Sequence, residues 1–86
     1  MNEPKTKVTV YSAAWCAYCH MAMEYLKGKG VEYTAIDVDK DPGAAQQIVA
    51  TTGQAGVPVI EIGDETILGF DRMRIDGALR ANNLVS

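Results

Sequence analysis

VTVYSAAWCAYCHMAMEYLKGK, residues 8–29, carries an extended run, a loop and a helical run in that order, and both cysteines of the chain sit at the junction. Val8 to Tyr11 is β-branched and aromatic and predicts a first strand. Ser12 to Trp15 reads as a loop. From about Ala17 to Lys29 the spacing predicts a helix. Ala22 and Leu26 form an apolar stripe with Cys19 one turn earlier, and Gly28 and Gly30 end it, the second at a C′ position. The cysteines therefore fall at the mouth of a strand–loop–helix unit.

The rest of the chain extends this unit. Val31 to Val38 predicts a second strand, mixed in pattern as when both faces are covered. Asp41 can cap a second helix, Pro42 suits its first position, and Gly53 follows its last turn. Its stripe is read as Ala45, Ile48, Val49 and Thr52. Val57 to Ile62 predicts strand three. Gly63-Asp64 makes a two-residue hairpin, and Glu65 to Leu68 is strand four. Asp71 caps a final helix with Ile75, Ala78 and Leu79 on one face, which Gly77 weakens by up to ~1 kcal/mol. The order β-α-β-α-β-β-α implies a parallel pair joined by a right-handed crossover, then an antiparallel hairpin. The fold class is α/β: a mixed four-stranded sheet with three helices on its two faces. Residues 1–86 are expected to form one domain, since no linker, repeat or low-complexity tract is visible.

The composition excludes several classes. The 86 residues are 48% hydrophobic and 22% charged, which fits a globular chain rather than a disordered one. Eight basic and eleven acidic residues are dispersed, with a net charge of −3, so no basic stripe offers itself to nucleic acid. The opening MNEPKTK lacks the apolar segment of a signal peptide, and no apolar run approaches the ~20 residues that span a bilayer. The expected compartment is the cytoplasm, where thiols are kept reduced. A bridge between near neighbours closes a tiny loop and stabilises little, so a Cys16–Cys19 pair there would serve chemistry.

Cys16 lies beside the first turn of the first helix, where unpaired N–H groups favour a negative charge. A thiolate there is the nucleophile of disulfide exchange. Cys19, nearly one turn further on the same face and more buried, can attack a mixed disulfide held on Cys16. Two other readings stand beside this one. Both cysteines could be small core residues. Cys16, Cys19 and His20 could also ligate zinc, but they are three where a structural site wants four, and His20 points ~100° around the helix from Cys19. A CxxC at the start of a β-α-β pattern favours the redox reading, and no metal site is expected.

YSAAWCAYCHMAMEYLKGKGVEY (11–33) resembles the start of a glutaredoxin, whose motif is usually Cys-Pro-Tyr-Cys. TTGQAGVPVIEI (51–62) resembles that family's TGQ-x-Thr-Val-Pro segment, and LGFD (68–71) falls at its Gly-Gly motif. The likeness runs from about Lys7 to Leu84. It implies a thioredoxin fold, with Cys16 and Cys19 as the catalytic pair. It implies a cis peptide at Val57–Pro58 that would present the Val57 backbone to a substrate beside Cys16, with Gly56 permitting close approach. Trp15, Tyr18, Val57, Pro58, Gly69, Phe70 and Asp71 are the implied substrate-binding residues. Trp15 and Phe70 could rim Cys16, and Trp15 is expected to be partly exposed as a partner contact.

The resemblance implies a dithiol–disulfide oxidoreductase acting on protein or small disulfides, monomeric, with no tightly bound cofactor and no membrane partner. Glutathione or thioredoxin reductase would supply the electrons. The sequence departs from the family where glutathione is usually held. Ala13 stands at a common lysine, Ala55 at a common basic position, and Leu68 at the first glycine of the pair. Asp71 could hold glutathione's amino group but is first a helix cap. Gly69-Phe70 also resembles glutaredoxin-like donors to ribonucleotide reductase, which draw on thioredoxin reductase. Ala17 replaces the usual proline, as in members that hold a [2Fe–2S] cluster between two subunits; that cluster-binding role is the alternative. His20 could bias Cys16 when protonated, though a solvated first-turn histidine is the simpler reading. Met21 and Met23 straddle Ala22 and read as adaptable packing.

Overall fold

The computed structural model describes residues 7–54 and 56–84. Four strands and three helices alternate as β1 (Val8–Ser12), α1 (Ala17–Gly28), β2 (Thr34–Asp37), α2 (Pro42–Thr52), β3 (Val59–Ile62), β4 (Glu65–Leu68) and α3 (Arg72–Ala81). The sheet order is β2-β1-β3-β4. β1 and β2 run parallel, with Val10 opposite Ala35, while β1–β3 and β3–β4 are antiparallel. This is the expected mixed sheet and element order.

Alternation along the strands divides the core. Val8, Val10, Ile60, Ile62 and Ile67 face one side, where they meet Ala22 and Leu26 of α1 and Ile75, Ala78 and Leu79 of α3. Tyr11 and Val59 face the other side and pack on Ala44 and Ile48 of α2. Leu26, Ile60, Ile62, Ile67, Ile75 and Leu79 are fully buried, each contributing about 1.5–3 kcal/mol. The α2 stripe differs from expectation. Its buried positions are Ala44 and Ile48, whereas Val49 is exposed, because an i, i+4 pair suffices to cover one side of a short sheet.

The helix ends follow from local chemistry. Asp41 and Asp71 accept the N–H groups of Ala44 and Arg74, as expected of N-caps. α1 closes with a Schellman motif. Gly30, at φ +74°, donates to the Lys27 carbonyl at 3.0 Å, and Val31 donates to the Leu26 carbonyl at 3.0 Å. This explains why β2 begins at Thr34 rather than Val31. Val31 is committed to the helix end and to the core beside Leu26. α3 closes the same way, with Asn83 at φ 58° and Leu84 donating to the Leu79 carbonyl at 2.9 Å. β3 likewise starts at Val59, two residues later than expected, since Pro58 has no N–H for the ladder.

Candidate active site

β1 delivers the chain to the end of the sheet where α1 begins. Ser12 is buried at the strand end, and the Cys16 N–H closes a turn on the Ala13 carbonyl at 3.1 Å. Cys16 is the N-cap of α1, in extended conformation at φ −93° and ψ 109°. Its Sγ accepts the Cys19 N–H at 3.2 Å, so the sulfur takes the place that a Ser or Asp oxygen fills in other caps. On its other side the Cys16 thiol donates to the Val57 carbonyl at 3.8 Å. Cys16, Cys19 and Ala13 form a small buried cluster against Met23, Val38 and Val57.

The two thiols differ. Cys19 is fully buried, while Cys16 keeps 6% of its surface. Burial, reinforced by the Cys16 side-chain bond, pushes the Cys19 thiol up to about 12; the Ala13 backbone hydrogen bond only partly opposes this. Cys19 is therefore a protonated, shielded thiol in the resting reduced protein.

The Val57–Pro58 bond is cis. Pro58 is buried, and its carbonyl accepts the Gly69 N–H at 2.9 Å. Gly69 holds φ +81°, which turns the chain out of β4 at this point and joins it to the Pro58 segment. Cys16, Val57, Pro58 and Gly69 are thus linked from three separate stretches of the chain.

The remaining candidates are placed around them. Trp15 and Tyr18 are 72% and 63% exposed. The Trp15 indole Nε1–H donates to Asp39 Oδ2 at 2.8 Å. Phe70 does not rim the cysteine cluster. It belongs to the core between α1 and α3 and meets the Tyr25 ring edge-on at 5.7 Å. It also lines, with His20, Met21, Glu24, Tyr25 and Arg72, a surface groove of about 420 Å³. Asp71 spends one oxygen on the cap of α3. His20 is exposed, and its Nε2 lies 2.9 Å from the Ala14 carbonyl, tying the first turn of α1 back to the preceding loop.

Ala13 is buried at 1% exposure, so the position that bears lysine elsewhere turns inward. Leu68 is exposed, and Ala55 lies outside the described residues. Among the described residues no three His, Cys, Asp or Glu side chains gather to hold a metal ion. Among the described residues no helix is long and apolar enough to cross a membrane. Asp39 and the His20–Ala14 contact had no sequence signal. Asp39 sits in the acid-rich turn DVDKD, residues 37–41, and nothing in that run pairs it with a tryptophan 24 positions away.

Residues 8–67 match the family model for glutaredoxin. The chain belongs to the glutaredoxin family. It is a glutaredoxin-like thiol–disulfide oxidoreductase of the thioredoxin superfamily. A glutaredoxin-like 8.6 kDa protein of the rubredoxin operon of Clostridium pasteurianum is 33% identical over 80% of this chain and 92% of its own. The glutaredoxin of Archaeoglobus fulgidus superposes with a TM-score of 0.80, covering 88% of each chain at 26% identity. The NrdH-redoxin of Escherichia coli, a glutaredoxin-like protein with a thioredoxin-like activity profile, superposes with a TM-score of 0.77. It is 28% identical over 83% of this chain and 92% of its own.

Proposed function

We propose that this glutaredoxin reduces disulfides of other proteins through a dithiol cycle in which Cys16 attacks and Cys19 resolves. The observation that carries this reading is the inequality of the two sulfurs: Cys16 at the mouth of α1 receiving an N–H, Cys19 buried and held protonated. The Cys16 thiolate attacks one sulfur of the substrate disulfide, forming a mixed disulfide and releasing the other sulfur as a thiolate that takes a proton. The Cys19 thiol then loses its proton and attacks Cys16 Sγ. The Cys16–Cys19 disulfide forms and the second substrate thiol leaves. Two electrons have passed to the substrate. The N–H that caps Cys16 stabilises charge on its sulfur when it attacks and again when it leaves. The Val57 backbone, beside cis-Pro58, offers an edge to which an extended substrate segment adds, with Trp15, Tyr18 and Gly69 as flanking contacts.

The oxidised pair must be reset by two thiols of glutathione or by thioredoxin reductase. Ala13 turned inward and Asp71 engaged as a cap leave glutathione's charged ends with fewer partners, which supports thioredoxin reductase as the main donor. A reducing compartment such as the cytoplasm suits either donor. The test is NADPH oxidation with insulin as substrate, run in parallel with glutathione plus glutathione reductase and with thioredoxin reductase. Faster turnover in the second arm is expected. Turnover in neither arm contradicts the oxidoreductase cycle.

A further inference from the structure

Trp15 is a large apolar side chain, 72% exposed, directly before Cys16, yet its ring is not free. Its Nε1–H meets Asp39 Oδ2 at 2.8 Å. Asp39 is fixed in turn. Its own N–H donates to Asp37 Oδ1 at 2.9 Å, and the Lys40 N–H closes the same turn on the Asp37 carbonyl at 3.1 Å. Asp37 ends β2 and pairs with Ser12, the last residue of β1, while Val38 donates to the Ser12 carbonyl at 2.9 Å. A closed ring results, running from Ser12 through the loop to Trp15, across to Asp39 and Asp37, and back to Ser12. On the other side His20 holds the Ala14 carbonyl.

We infer that Asp39 is a positioning residue for protein substrates: it fixes the Trp15 indole as a rigid apolar face beside Cys16, so that the face is ordered before a partner docks. The inference rests on the reading of Cys16 as the attacking sulfur. An aromatic ring ordered in advance loses little freedom on binding and presents large contact area, whereas a free ring must be ordered at the moment of association. A small disulfide reaches Cys16 without covering the indole, so the effect is specific to protein substrates.

Trp15 is the only tryptophan of the chain, so fluorescence excited at the red edge of the absorption band, where tyrosine does not absorb, reports on it alone. The experiment compares the full-length protein with Asp39→Ala, Asp39→Asn, Trp15→Phe and the Asp39→Ala/Trp15→Phe double variant. Substrates are insulin and hydroxyethyl disulfide. Asp39→Ala is expected to lower the rate on insulin about three- to tenfold, the range for ordering one interface side chain. It is expected to lower the rate on hydroxyethyl disulfide less than about twofold, with a drop in tryptophan anisotropy. Asp39→Asn keeps an acceptor oxygen and should restore most of the rate and the anisotropy. Once Trp15→Phe has removed the N–H, Asp39→Ala should add no further loss. Additive losses in the double variant, or equal losses on both substrates, would overturn the positioning role. Turnover that survives Cys16→Ser would instead overturn the underlying dithiol reading.

Discussion

The Cys19 N–H points at Cys16 Sγ from 3.2 Å, so each cysteine is defined by the other: one is capped by the backbone of its partner, and the partner is buried behind it. The relationship needs the strand-to-helix junction, because only a residue at the N-cap can receive the N–H three positions on. Ala13 packs with both sulfurs in the same buried cluster.

The asymmetry has a consequence for stability. In the unfolded chain a cysteine ionises as pH passes about 8.5. In the fold Cys19 stays protonated until about 12. Below the lower value both states hold the proton and the stabilisation from burying a neutral thiol is fully present. Above it the unfolded state gains by ionising, so stability falls as pH rises toward the folded value. Denaturation midpoints of the reduced protein from pH 7 to 10 should therefore fall more steeply than those of Cys19→Ala. Parallel profiles would contradict the burial of that thiol.

Asp71 gives a second check. Its carboxylate accepts the Arg74 N–H at 3.2 Å and starts α3, which carries Ile75, Ala78 and Leu79 into the main core. Asp71→Ala should cost about 1 kcal/mol in urea denaturation, and Asp71→Asn, which keeps the acceptor, much less. Equal losses in both variants would show that the charge, not the cap, is what α3 uses.

Gly69 gives a third. Its φ of +81° lies in the left-handed region that favours glycine, and a Cβ built there meets no atom within 4 Å, so the effect of a side chain is carried by the backbone. Gly69→Ala should destabilise by about 1–2 kcal/mol. If the backbone relaxes instead, the Gly69 N–H leaves the Pro58 carbonyl, and turnover should fall with stability preserved. A variant unchanged in both would mean the turn does not hold the two segments together.

Much of this was legible in the sequence because the signals were local. Asp41-Pro42 and Asp71 announced their helices through cap chemistry that needs only three residues, and the stripes of α1 and α3 needed only helical spacing. The edges of β2 and β3 were not legible. Val31 is β-branched and strand-like, but the left-handed Gly30 before it draws it into the end of α1. Val57 is equally strand-like, yet the proline after it delays the ladder. Among site residues, the pairing of Cys16 with Cys19 follows from spacing along one helix. The Trp15–Asp39 bond depends on where β2 ends relative to β1, and Phe70 chose Tyr25 over the cysteine cluster through packing between α1 and α3. Neither is written in any short stretch.

The order of events at the two cysteines is open to one direct measurement. Reduced Cys19→Ser and Cys16→Ser variants are each mixed with an oxidised protein disulfide, quenched with acid and mapped by mass spectrometry. Cys19→Ser should accumulate a mixed disulfide on Cys16, and Cys16→Ser should carry essentially none on the buried Cys19. Adducts on Cys19 at a comparable level would contradict the assignment of Cys16 as attacker and Cys19 as resolver.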